Sequence, residues 1–145
     1  MDGSRMVKPA DAERRRKEAE SEKITINLGF VDLGHIDLLV EEGFYSNRTD
    51  FIRTAIRNQV LAHAEVLKHS VARRSMVLGL QRYTRQDLEK VLAAGEQLHI
   101  HVLGLATIDE DVPPQLASRT IASIVVLGAL RASPEVKAAL ADRIR

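Results

Sequence analysis

"KITINLGF", Lys23 to Phe30, alternates without a break over its first six residues. Ile24, Ile26 and Leu28 are apolar, and Lys23, Thr25 and Asn27 between them are polar. A period of two reads as a β-strand with one dry face and one wet face. The wet face holds an ammonium, a methyl-bearing hydroxyl and an amide, and no carboxylate. Gly29 and Phe30 end the strand. A lone strand leaves its backbone unpaired and its apolar face bare. No neighbouring segment reads as its partner, so the simplest partner is the same strand of a second copy. That expectation is an obligate dimer with a two-stranded antiparallel ribbon, both polar faces pointing outward.

Working outward, the next stretch switches to helical periodicity. Asp32 is a candidate N-cap. Leu33, Ile36, Leu39 and Val40 recur on one face, with Asp37, Glu41 and Glu42 off it. Gly43 supplies the left-handed stop that a helix end needs. After "FYS", Asn47 can cap a second helix, with Asp50 three residues on as its reciprocal partner. Phe51, Ile52, Ala55, Ile56 and Val60 form the apolar stripe of this helix, which is expected to run to about Ser70.

Strand, short helix, glycine turn and longer helix, with "KITINL" and "GFYSNRTDFIRTAIR" as they stand, resemble the ribbon–helix–helix DNA-binding family, the group of Arc, MetJ and CopG-type regulators. The resemblance covers residues 23–69. It implies that the ribbon enters the major groove and that Lys23, Thr25 and Asn27 read bases. The chemistry agrees: Lys donates to guanine, Asn pairs with adenine in a bidentate way, and the Thr methyl touches a thymine methyl. The same resemblance places Asn47, Arg48 and Thr49 on a backbone phosphate at the start of the second helix, with Ser46 as a further donor. Free N–H groups and the helix dipole favour an anion there. The plainer reading is capping by Asn47 with Arg48 solvated, and both can hold together. Arg53 and Arg57, four apart, read more readily as solvated or acid-paired than as DNA contacts.

Past Ser70 the chain repeats. "VLGL" starts at Val77 and at Val102, and "VLGA" at Val126. The last two units align without a gap, so that Val112 matches Val136, Leu116 matches Leu140 and Ala117 matches Ala141. The first unit fits with one extra residue, which puts Leu88 and Leu92 in the same slots. Each unit reads as a strand, a glycine turn, an acidic or Pro-containing loop and a short helix. Strand–helix units in series favour parallel strands with helical crossovers. The third strand, "ASIVVLGA", is the most apolar and the last, so its open edge suggests that these domains bring dimers together, unless the final helix folds over it.

Composition narrows the chemistry. The chain has 145 residues, no cysteine, 3% aromatics and a formal net charge of +1. Without cysteine there are no disulfides, no thiolate catalysis and no Cys-rich zinc site. No signal peptide and no membrane-crossing run is expected. His99 and His101 share a strand face and are the only weak metal candidates. The acidic run Asp109 to Asp111 reads as a solvated loop. Gly104 and Gly128 lack the lysine of a phosphate loop, and no spacing argues for catalysis.

The expected fold class is α+β: a flexible basic arm over residues 1–22 with "RRRK" at 14–17, a ribbon–helix–helix dimerisation and DNA-binding module over 23–70, and a small β/α repeat domain with parallel strands over 71–145 for oligomerisation. The expected protein is a cytoplasmic, non-enzymatic, sequence-specific transcriptional regulator of the repressor kind. Its partners are double-stranded DNA, a second copy through the ribbon and helices, and a tetramer or higher assembly through the C-terminal domain. No cofactor and no membrane is involved. The alternatives are an antitoxin that represses its own gene, or a structural protein that clusters DNA or forms filaments with little sequence preference.

Overall fold

Gly43 sets the end of helix α1 (Phe30–Glu41). It adopts φ +84°, where an L side chain is strained. Its N–H donates to the Val40 carbonyl and that of Phe44 to the Leu39 carbonyl, the paired bonds of a Schellman close. The start differs from the expectation. Gly29 is the N-cap and Asp32 lies in the first turn, where its charge still complements the helix dipole. Helix α2 (Arg48–Ala62) begins at Asn47 as expected but stops at His63, whose N–H bonds three residues back to Val60 instead of four. Helix α3 (Ala64–Arg73) follows directly, so the single helix expected to Ser70 is two.

The computed structural model describes residues 8–10 and 20–145. The basic block at 14–17, and with it most of the expected arm, lies outside the described residues. The described chain parts into two units, Ser21–His69 and Ser70–Arg145, the second also taking in the described residues that precede Ser21. In the first, Ile36 alone is fully buried. Tyr45 and Phe51 meet edge to face there, centroids 5.0 Å apart.

The second unit is a three-stranded parallel sheet in the order β1-β2-β3. Strand β1 (Val77–Tyr83) leads to α4 (Arg85–Ala93), β2 (Leu98–Ile108) to α5 (Pro114–Thr120), and β3 (Ile121–Arg131) to α6 (Pro134–Ala139). The sequence repeat is the strand register. Val77 faces Val102, which faces Val126, and Gly79 faces Gly104, which faces Gly128. Alternate residues Ile100, Val102, Ala106 and Ile108 of β2 pack with Leu88, Leu116, Val136 and Leu140 from the helices in one core. The matched slots Leu88, Val112 and Val136 are all buried. Leu92, matched to Leu116 and Leu140, stays exposed on α4, the helix of the first unit.

The glycines are not turns, as the sequence reading had them. Gly79, Gly104 and Gly128 sit inside the strands at φ +116°, +138° and +124°. This mirror image of the β region keeps the chain extended while excluding any Cβ. A side chain on Gly104 would run into the Gly79 carbonyl, and one on Gly128 into the Gly104 carbonyl.

The helix starts of the repeat carry a side-chain cap or a proline. Thr84 and Asp87 form a reciprocal capping box on α4, with bonds of 3.1 and 2.9 Å. Ser133 accepts from Val136 N–H on α6, and proline opens both α5 and α6. The C-terminal tail, not α6, pairs with the edge of the last strand. Ile144 bridges Ile124 in parallel, and the Arg143 guanidinium donates to the carbonyls of Ser118 and Ile121. The tail meets only the beginning of β3. Among the described residues, no strand pairs with the outer edge over 126–131.

Candidate nucleic-acid interface

Residues 21–29 form no strand within the single chain. The strand expected at 23–28 is therefore not completed by its own protein. Among the described residues no strand pairs with it. Its dry face is bare, with Ile24, Ile26 and Leu28 exposed at 73%, 59% and 37%. Lys23, Thr25 and Asn27 are exposed as well. The same unit exposes Phe30, Ile56, Val60 and Leu61. An apolar recess of about 350 Å³ is lined by Ile56, Val60, Leu61, Ala64 and Leu67 with Arg57.

The start of α2 is polar and ordered. Asn47 Oδ1 accepts from the Asp50 N–H at 2.8 Å. Asp50 Oδ2 accepts in return from the Ser46 N–H at 3.0 Å, one residue upstream of the cap itself. Ser46, Asn47, Thr49, Asp50, Arg53 and Arg57 line one open recess of about 320 Å³. Three of the four expected phosphate contacts thus share a surface, together with the two arginines expected to be solvated or acid-paired. Their i, i+4 spacing behind the cap was the available signal. No carboxylate pairs with Arg53 or Arg57 among the described residues.

Arg48 is placed differently. Its Nε and Nη2 donate to the two Asp37 oxygens, each at 2.8 Å, tying the start of α2 to α1. The side-chain hydrogen bonds hold the Asp37 carboxyl below its usual range and raise the guanidinium, with the charge pair adding to both. The pair uses one fork of the guanidinium and leaves Nη1 for another acceptor.

The remaining candidates are engaged elsewhere. His99 Nδ1 meets Ser123 Oγ at 2.8 Å, and His101 Nδ1 lies 3.3 Å from the Arg74 carbonyl. Among the described residues no cluster of three or more metal-ligating side chains forms. Asp109 of the acidic loop is not merely solvated. It accepts two bonds from Arg82, each at 2.8 Å, and clamps the end of β1 to the loop after β2.

The model of the Ribbon-Helix-Helix transcriptional regulator family matches residues 19–137. The chain belongs to that family. The match runs beyond the two helices through all three strands of the repeat, so the resemblance carried by residues 23–69 understates its reach. Neither a curated protein nor a solved structure matches the chain. For a ribbon–helix–helix regulator the exposed segment 23–28 is the segment of first interest, and the recess before α2 the second. No helix among the described residues is long and apolar enough to cross a membrane.

Proposed function

We propose that this regulator is a sequence-specific DNA-binding repressor that works as a dimer and has no catalytic role. One observation carries the reading. The stripe Ile24, Ile26 and Leu28 lies open in a chain of this family, and the opposite face of the same segment bears no carboxylate. Two copies of residues 23–28, paired antiparallel, satisfy each other's backbone and cover both stripes. The exposed Ile56, Val60 and Leu61 offer further apolar surface to the same association.

The paired strands then present Lys23, Thr25 and Asn27 twice, related by a two-fold axis, to the major groove. Lys23 donates to guanine, Asn27 takes adenine with two bonds, and Thr25 packs on a thymine methyl. Ser46, Asn47, Arg48 and Thr49 hold a backbone phosphate and so fix the register of the ribbon. Asp37 aims the Arg48 guanidinium while leaving Nη1 to the phosphate. Arg53 and Arg57 add positive charge to the same recess. The arm over residues 1–22 contributes salt-dependent affinity through its basic block. The DNA-binding domain is residues 23–70, the repeat domain follows over 71–145, and the protein acts in the cytoplasm on the nucleoid. The closed core of Ser70–Arg145 speaks against an antitoxin, whose tail must stay unfolded until it wraps a toxin.

The test is fluorescence-anisotropy binding to DNA from upstream of the protein's own gene, with random DNA as competitor. The wild type prefers its site, and Asn27→Ala loses about 1–3 kcal/mol of that preference while keeping most of its non-specific affinity. Equal binding to both DNAs, unchanged by the substitution, refutes base reading by the ribbon and favours a DNA-clustering role.

A further inference from the structure

The sheet of the repeat unit has two unlike edges, and the chain itself already contains the joint that would unite them. Inside the chain the joint is made twice, β1 on β2 and β2 on β3, in parallel and with the same residues in register. Strand β1 offers its outer edge at one end of the sheet and β3 at the other. On the sheet face away from the core, Leu78, Leu103 and Leu127 form one row, and Leu80, Leu105 and Ala129 the next. The rows end in apolar groups at both edges. Leu78 and Leu80 are 69% and 58% exposed, and Leu127 45%.

Gly79 adds an independent observation. Gly104 and Gly128 take their mirror conformation where the carbonyl of the preceding strand leaves no room for a Cβ. Gly79 takes the same conformation, φ +116°, with nothing within 4 Å of where its Cβ would stand. Its backbone is shaped for a preceding strand that the described residues do not supply. On β3 the matching groove, carrying the outward carbonyl edge of Gly128, has no following strand over residues 126–131 among the described residues. The tail pairs at Ile124, upstream of the position equivalent to Val77, and so leaves this stretch of edge unpaired.

We infer that the occupant of the β1 edge is β3 of a second copy, added in parallel so that Val126 faces the partner's Val77 and Gly128 the partner's Gly79. Such a contact is heterologous. Each copy gives one edge and receives the other, so it extends sheets head to tail and closes only if the rotation allows a ring. The internal joints define its strength by comparison. Within the chain Arg82 stands beside Thr107, whereas across the junction it stands beside Arg131. Asp109 holds Arg82 and offsets part of that repulsion. The junction is therefore weaker than the internal ones, reversible, and strengthened by salt. It stands apart from DNA binding, since it uses no residue of the ribbon or of α2.

The full chain, without DNA, is tested by sedimentation velocity across the micromolar range. Leu78→Lys spoils the β1 edge and Leu127→Lys the β3 edge, and circular dichroism checks each fold. Should Leu127→Lys fail to fold, Ala129→Lys, one row on, takes its place. The wild type gains mass steadily with concentration, and more so as salt is raised. Each variant alone stays at the small species that the ribbon sets. Mixed in equal amounts the two variants regain the large species, because each brings the edge the other lacks. Arg131→Thr, which copies the internal joint, associates at lower concentration than the wild type. A mixture no larger than its parts overturns the inference and indicates a two-fold contact through the sheet face instead. A wild type that never exceeds the small species, or single variants that assemble like it, overturn it too.

Discussion

The two units of this chain solve the problem of burial in opposite ways. Ser70–Arg145 closes twelve residues into one core, from Leu88 on α4 to Leu140 after α6. Ser21–His69 fully buries Ile36 and leaves Ile24, Ile26, Phe30, Ile56 and Leu61 in water. The apolar residues are present in both, at the right period in both. What differs is whether the partner surface lies in the same chain. A repeat of strand and helix brings its own neighbour along, every 24 or 25 residues, as the register pairs Val77 with Val102 and Val102 with Val126. A single strand brings no such neighbour along, and its dry face lies bare in the single chain.

The contrast can be broken first at its most rigid point. Gly128→Ala forces a Cβ against the Gly104 carbonyl and an L residue to φ +124°. Backbone strain and overpacking together cost roughly 2–6 kcal/mol, enough to unfold the repeat. Gly79→Ala meets the same φ but open space, so it costs only the strain, roughly 1–3 kcal/mol. Urea denaturation followed by circular dichroism ranks the two. Equal losses at both positions show that φ alone decides and that the neighbouring carbonyl matters little.

Next come two isoleucines of the same chemistry in the two settings. Ile124→Ala empties a fully buried site and costs about 2–5 kcal/mol in the denaturation of the repeat. Ile26→Ala should leave that transition where it is, because Ile26 lies outside the repeat core. Its cost appears instead as weaker self-association, about 2 kcal/mol for each copy brought together. Sedimentation equilibrium reads the second and urea the first. An Ile26→Ala protein with unchanged self-association would mean that the stripe faces something other than a second copy.

Much of this was legible in the sequence. The Gly43 stop, the Asn47–Asp50 cap and the gapless alignment of the last two repeats all rest on local chemistry, which sequence displays directly, whereas the alternation at 23–28 forms no strand within the single chain. The misreadings share a different cause. Gly79, Gly104 and Gly128 read as turns because an isolated glycine usually breaks a strand. Their real reason is a carbonyl one strand away, which no local window contains. Leu92 looked like Leu116 and Leu140 by spacing, but it belongs to the end unit of the stack. At the start of α2 the cap was visible and the arginine geometry was not. The Arg48–Asp37 pair spans eleven residues and two helices, and Arg53 and Arg57 fall into the recess only once the helix is built.

The caps sharpen the comparison further. Thr84 and Asn47 do the same local work, each accepting from the backbone three residues on. Thr84→Ala and Asn47→Ala should each cost about 1 kcal/mol of the stability of their own unit. Only Asn47→Ala should also weaken DNA binding, and by a similar factor on site and random DNA, since a phosphate contact carries no sequence information. Anisotropy titrations of the two variants side by side decide it. A loss confined to the specific site would move Asn47 from phosphate to base.

The smallest effect is the one pH can reach. In each unit one carboxylate is held below its ordinary range. Asp37 is held by the Arg48 hydrogen bonds, and Asp87 by the Thr84 backbone and hydroxyl. A folded-state pKa below the unfolded one means that stability is fully present above the unfolded value, near 4. It is lost as pH falls through the lower, folded value. Both groups are exposed, so each loss is slight, and neither pair is a reason for the fold. Yet the consequences differ. Protonating Asp87 loosens the start of α4 within a core that the other contacts still hold closed. Protonating Asp37 frees the Arg48 guanidinium at the very helix start assigned to the phosphate. Carboxyl-carbon NMR titration should place both midpoints below that of an unpaired aspartate. Arg48→Lys, which keeps the charge but loses the two-pronged bond, should move the Asp37 midpoint upward and leave Asp87 alone. If Asp37 does not move, the geometry at the start of α2 is set by the Asn47 cap, and Arg48 is already free for DNA at neutral pH.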